Sequence, residues 1–214
     1  MNKTKLRIAL FCFAAFLIWT WMLCRIDLQP IGPNGSVVGL SKINGLFYDL
    51  TGAHFLLYVL TDWLGLVPII VCIGFGMLGF CQWIQRKSIR KVDADILLLG
   101  GYYLLVMAIF AFFEKFIVNY RPVLINGILE ASYPSSTTLL VICVMGTAIM
   151  QFRLRIKNYV IKQVLTVFCR IFTLLMVVLR LLSGVHWCTD IIGGILLSLA
   201  LIMLYSACLN SDKK

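Results

Sequence analysis

Charge and histidine are scarce in this sequence, and the scarcity excludes several classes of protein. Of 214 residues, 13% are charged and only 9 are acidic, against 61% hydrophobic and a mean hydropathy of +0.97. A soluble domain needs far more charged surface, so the chain reads as a polytopic membrane protein. Histidine occurs twice, as His54 and His186, and there is no C-x-x-C. That set argues against a metal site, and no cofactor is expected. Internal repeats and low-complexity stretches are also lacking, so one membrane-embedded domain over residues 1–214 is expected.

What the chain has instead is a series of apolar runs near the ~20 residues that cross a bilayer. They fall at 8–24, 64–84, 96–113, 137–152, 164–182 and 186–208. The fold class expected is all-α, a bundle of six transmembrane helices. The first run exceeds a secretory h-region and no small-residue cleavage site follows it, so it reads as a retained span. Between the first two spans, Ile43, Leu46, Phe47 and Leu50 recur at helical spacing, which predicts a short interfacial helix over 41–50. A cap over the bundle is favoured for it over a lid. Residues 54–63 are amphipathic and also suit an interface, since Asp62 would be costly at mid-membrane.

The net charge of +10 raises the question of nucleic acid. The basic residues, however, sit in short segments between apolar runs, at the N-terminus, around 86–91 and 153–162, and in a tail with Lys213 and Lys214. That placement is a topology signal that puts both termini in the cytoplasm, and no nucleic-acid partner is expected. Of the eight cysteines, Cys12, Cys72, Cys81, Cys143, Cys169 and Cys208 lie inside predicted spans as apolar filler. Only Cys24 and Cys188 share an edge, so a bridge between them is the one disulfide considered.

Three polar clusters fall on the edge opposite the termini: Glu114-Lys115 with Arg121-Pro122; Glu130 with Pro134-Ser135-Ser136-Thr137; and Arg180, His186 and Asp190. Topology does not require cations there. With a helix starting at 185 or 186, His186 and Asp190 share a face, and the carboxylate takes one imidazole N–H while the other nitrogen stays free. Ser183-Gly184 reads as the break that lets Arg180 point back toward His186. Ser135 or Ser136 reads as an N-cap, and the free N–H groups of that first turn form an anion site. Each cluster alone has a bland reading, as a solvated loop or a simple cap. Ionisable residues enclosed by apolar sequence favour the functional one.

These clusters, in this order and on this edge, resemble the type-2 phosphatidate phosphatase superfamily of integral-membrane lipid phosphatases, whose motifs are K-x(6)-R-P, P-S-G-H and S-R-x(5)-H-x(3)-D. The third is matched by Arg180, His186 and Asp190, with Leu179 in place of Ser. Pro134-Ser135 begins the second, but Ser136-Thr137 replaces Gly-His. Arg121-Pro122 ends the first, but Glu114 holds the lysine position and Lys115 is one residue too close. The resemblance spans 114–190. It implies His186 as a nucleophile that forms a phosphohistidine and Asp190 as its orienting group. It implies Lys115, Arg121, Ser135, Ser136, Thr137 and Arg180 as phosphate ligands. The second-motif histidine of the family protonates the leaving group, and Thr137 cannot. General acid catalysis contributes about 10²–10⁴, so its loss raises the barrier by about 3–5 kcal/mol. An enzyme so altered is expected to prefer a lipid diphosphate, such as a polyprenyl diphosphate, over a monoester, unless Glu130, Glu114 or His54 supplies the proton. The alternative is an impaired member that binds or transports a phospholipid. The expected partners are a lipid phosphate and membrane lipids, in a bacterial cell membrane with the site on the extracytoplasmic side. The oligomeric state stays open.

Overall fold

The computed structural model describes residues 2–209, so Lys213 and Lys214 of the topology argument lie outside the described residues. The described residues form eight α-helices and no strand beyond isolated bridges: α1 Lys3–Arg25, α2 Ser41–Thr51, α3 Phe55–Leu64, α4 Leu66–Arg86, α5 Ala94–Lys115, α6 Ser136–Arg155, α7 Tyr159–Leu182 and α8 Cys188–Cys208. In hydrocarbon every backbone group must bond within its own segment, which is why each apolar run becomes a helix. Six helices among the described residues are long and apolar enough to cross a membrane, as the sequence predicts, and the protein is a multi-pass membrane protein.

The second of these is longer than expected. α3 continues through Gly65 into α4 as one candidate span, Phe55–Arg86, of 32 residues. At ~1.5 Å per residue that is about 48 Å, well beyond a ~30 Å hydrocarbon core. α3 is the excess, and it packs along α7.

α8 is the central helix, gripped by α1 and α6, with α7 packed outside α6. Its close neighbours rely on small residues. Gly193 lies against the Tyr133 ring, where a side chain would collide, and Ser198, Ala200 and Ala207 are buried. α2 forms where the sequence places it, with Ile43, Leu46 and Leu50 exposed on its outer face. Its inner face carries Asn44, whose Nδ2 donates to the Gly39 carbonyl (2.8 Å) and Thr189 Oγ1 (2.9 Å). α2 is thereby fixed to the start of α8 as a cap.

One end of the bundle is closed by a clasp. Arg155 on α6 reaches Asp93 Oδ2 (3.0 Å) and Asp95 Oδ2 (2.5 Å), and Arg86 on α4 reaches Asp93 Oδ1 (2.8 Å). The Cys24–Cys188 bridge does not form, and all eight cysteines are free thiols. Cys24 is exposed, whereas Cys188 is buried and its thiol is directed at Asn44 Oδ1 (3.3 Å). The first helical turn of α8 and the end of α1 point these thiols to different environments.

Candidate active site

At the other end, two connections meet. Residues 116–135 fold back on themselves through paired backbones: Arg121 N donates to the Glu130 carbonyl (3.0 Å), and Ser132 N donates to that of Asn119 (2.9 Å). This brings Arg121, Glu130 and Ser132 together. The α7–α8 turn breaks at Ser183-Gly184 as expected. Gly184 has φ +65° and lies directly on the Gly52 carbonyl, so the turn needs a residue without a Cβ. His54 N donates to the Ser183 carbonyl (2.9 Å), locking that turn to the α2–α3 junction.

α8 begins at Cys188, later than the spacing suggests, and this changes how His186 and Asp190 are related. His186 lies before the helix, so the two do not share a helical face, and no hydrogen bond joins them. Asp190 instead caps its own helix. Its Oδ2 accepts from Trp187 N (3.1 Å), while Asp190 N donates to the Trp187 carbonyl (3.0 Å). Ser132, which carries no signal in the sequence, stands between them. Its hydroxyl donates to Asp190 Oδ2 (2.5 Å) and lies 2.9 Å from His186 Nδ1. Asn119, equally silent in the sequence, donates to Asp190 Oδ1 (3.1 Å).

His186, Asp190, Ser132 and Arg180 are all buried. Burial, then the Arg121 and Arg180 charges, hold the His186 imidazole well below the ordinary histidine range, against the pull of the Ser132 backbone carbonyl. The ring is therefore neutral at pH 7. Arg121 Nη1 lies 3.5 Å from its Nε2. Arg121 Nε is 3.1 Å from Glu130 Oε2, an ion pair whose angle is not that of a hydrogen bond, so the N–H is left without an acceptor.

Arg180 does not lean freely toward His186. Its Nη1 is held by Thr61 Oγ1 and Asp62 Oδ1, both at 2.9 Å, with Tyr58 beneath the guanidinium at 5.0 Å. Its Nε is buried without a partner. Ser135 is the N-cap of α6, as read from the sequence, but its Oγ makes no capping bond and is also buried without a partner. Three unpaired polar groups, Arg121 Nε, Arg180 Nε and Ser135 Oγ, thus belong to the three expected clusters.

A cavity of about 10 Å³, room for one water-sized group, is lined by His186, Ser132, Ser136 and Glu114. Lys115 is not among its lining. One residue later on α5 it is turned ~100° away, and it is exposed. Thr137 is half-buried and lines a second space, an apolar groove of about 530 Å³ between α4, α5 and α6 that runs from Asp62, Ser136 and Thr137 to Cys72 and Tyr103. Of the three candidate acids, Glu130 faces Arg121, and exposed His54 Nε2 is on the Thr51 carbonyl (2.8 Å). Glu114 alone lines the His186 cavity.

A family model described as the PAP2 superfamily matches residues 71–214, which takes in all three clusters. The chain belongs to the PAP2 superfamily. Its fold is that of a solved PAP2-type relative, a transmembrane phosphatidylglycerolphosphate phosphatase from Bacillus subtilis. The TM-score is 0.63 over 97% of this chain and 98% of that one, at 18% identity. No curated protein matches the chain. Membership of the PAP2 superfamily supports lipid phosphatase activity, and the resemblance seen in the motifs is thereby borne out.

Proposed function

We propose that this protein is a lipid phosphate phosphatase that works through a phosphohistidine on His186. The observation that carries the reading is the set of buried donors that make no hydrogen bond around a neutral histidine: Arg121 Nε, Arg180 Nε and Ser135 Oγ. Buried polar groups without partners are costly, and a phosphoryl group supplies the acceptors that all three need. The first-turn N–H groups of Ser136 and Thr137 at the start of α6 add to that anion site. Lys115, exposed and turned away, is left out of it.

In the proposed reaction His186 Nε2 attacks the terminal phosphorus, and the bond from that phosphorus to its ester or bridging oxygen breaks with the electron pair going to that oxygen, which leaves as the alkoxide of a monoester or as the lipid monophosphate of a diphosphate. Water then attacks the phosphohistidine, releasing inorganic phosphate and restoring the imidazole. The apolar groove ending at Ser136 and Thr137 suits the hydrocarbon chain of the lipid.

The substrate preference follows from the leaving group. An alcohol leaves as an alkoxide about as basic as hydroxide, with a conjugate acid near ~16, whereas a phosphate leaving from a diphosphate has one near ~6. Without an acid at Thr137, the diphosphate is favoured over the monoester. The basic connections at the opposite end of the bundle support a site on the extracytoplasmic side.

Phosphate release by the detergent-purified protein tests the reading, with a polyprenyl diphosphate, phosphatidate and phosphatidylglycerophosphate as substrates. The diphosphate is turned over fastest, and His186→Ala abolishes release from all three. Equal or faster turnover of phosphatidate overturns the preference. Silence across the panel with lipid binding intact points to the binding or transport reading.

A further inference from the structure

We propose that Ser132 is a positioning residue that transmits the Asp190 charge to His186 and fixes the imidazole in the tautomer with Nε2 free. The proposal rests on His186 being the nucleophile, and it starts from a count of hydrogen atoms. Asp190 receives three donors, from Asn119 Nδ2, Ser132 Oγ and Trp187 N. As the carboxylate, Asp190 accepts from all three. The single hydrogen of Ser132 is therefore committed to Asp190.

The Ser132 oxygen can then only accept from His186 Nδ1, 2.9 Å away. The Ser132 backbone carbonyl, 3.1 Å from the same nitrogen, can also only accept. Nδ1 carries the proton. The far side of the ring is compatible with that proton position. Arg121 Nη1, at 3.5 Å from Nε2, has no lone pair to offer, so a hydrogen bond there has Nε2 as its acceptor. The lone pair of Nε2 thus faces Arg121, where a phosphoryl group would be held. When Nε2 bonds to phosphorus, the ring becomes cationic, and the chain Nδ1–H to Oγ–H to carboxylate lets Asp190 stabilise that charge without touching the ring.

With only two histidines in the chain, ¹⁵N-histidine NMR reads this directly, and His54→Gln leaves a single ring to assign. The parent is expected to show a pyridine-type nitrogen at Nε2 and an N–H at Nδ1. In Ser132→Ala the backbone carbonyl keeps the proton on Nδ1 but the link to Asp190 is cut, so the Nδ1–H proton resonance moves upfield, kcat on the diphosphate falls on the order of 10²-fold, and KM changes by less than about threefold. An imidazole in the wrong tautomer costs a serine hydrolase about 10⁴ in kcat, which bounds the loss. Ser132→Thr, which keeps the hydroxyl, restores the parent spectrum. A parent ring protonated at Nε2, or Ser132→Ala with an unchanged spectrum, overturns the proposal. The spectrum does not depend on turnover. A parent that hydrolyses nothing yet shifts its Nδ1–H resonance in Ser132→Ala refutes the phosphatase reading while the Ser132 bridge stands. An active protein indifferent to Ser132→Ala does the reverse.

Discussion

The Thr137 hydroxyl is too weak an acid to protonate a departing alkoxide, and among the described residues lining the His186 cavity Glu114 is the one carboxyl. It stands where the superfamily motif has lysine, so one substitution removes a cation and places an acid near the reaction. Exposed at the rim of that cavity, Glu114 sustains only the slower monoester turnover. Glu114→Gln is therefore expected to reduce this residual turnover of phosphatidate by about 10²-fold or more, the range of a lost general acid, and to leave the diphosphate within about threefold. Parallel measurement of kcat on the two substrates checks this, and an equal loss on both assigns Glu114 to binding instead. At this scale the sequence exposes residues that belong to a spaced pattern. Arg180, His186 and Asp190 are legible because an arginine, a histidine and an aspartate at fixed intervals are rare in apolar sequence. Ser132 and Asn119 are not, because a serine and an asparagine in a polar loop are ordinary, and only their contacts distinguish them.

The α7–α8 turn shows what an element contributes beyond its residues. Gly184 adopts φ +65° against the Gly52 carbonyl, and the next two residues are Val185 and His186. Gly184→Ala adds a strained backbone and a collision with the α2–α3 junction. It is expected to destabilise the protein by on the order of 2 kcal/mol, a Tm drop of several degrees, and to lower kcat by displacing His186. Thermal melting in detergent and turnover of the diphosphate check both effects, and unchanged melting shows that the turn adapts. The spans, the α2 helix, the Ser135 cap and the Ser183-Gly184 break were all legible, since each rests on local composition. The start of α8 was not. Val185 and His186 continue the apolar run, but the turn consumes them before the helix begins.

For the molecule as a whole, a buried neutral histidine makes stability depend on pH. In the unfolded chain His186 titrates near ~6.5, and in the folded protein burial and two guanidinium charges hold it lower. Between those values the unfolded state binds more protons, so stability rises with pH and is lost as pH falls below ~6.5. Asp93 acts in the same direction further down. Its bonds to Arg86 and Arg155 hold the carboxyl at about 2, so its contribution is present above its ordinary value of 3.8 and is lost as pH falls through about 2. Melting temperatures in detergent are expected to decline from pH 7 to pH 5, and His186→Gln to flatten that decline. An equal slope in the variant places the pH sensitivity elsewhere.

Read alone, the amino-acid order already specifies a six-span helical membrane protein with PAP2 superfamily motifs on one edge. Hydrocarbon demands long apolar helices with internally satisfied backbones, and an arginine, a histidine and an aspartate between apolar runs leave a readable spacing. The tertiary structure alone decided how those residues meet. Ser132 and Asp190 are 58 positions apart, and Arg180 bonds to Thr61 across 119. No local rule of helix period or capping reaches across such distances. The interposed hydroxyl between His186 and Asp190, the Asp62 anchor on Arg180 and the exchange of Lys115 for Glu114 at the cavity are consequences of which helix ends pack together.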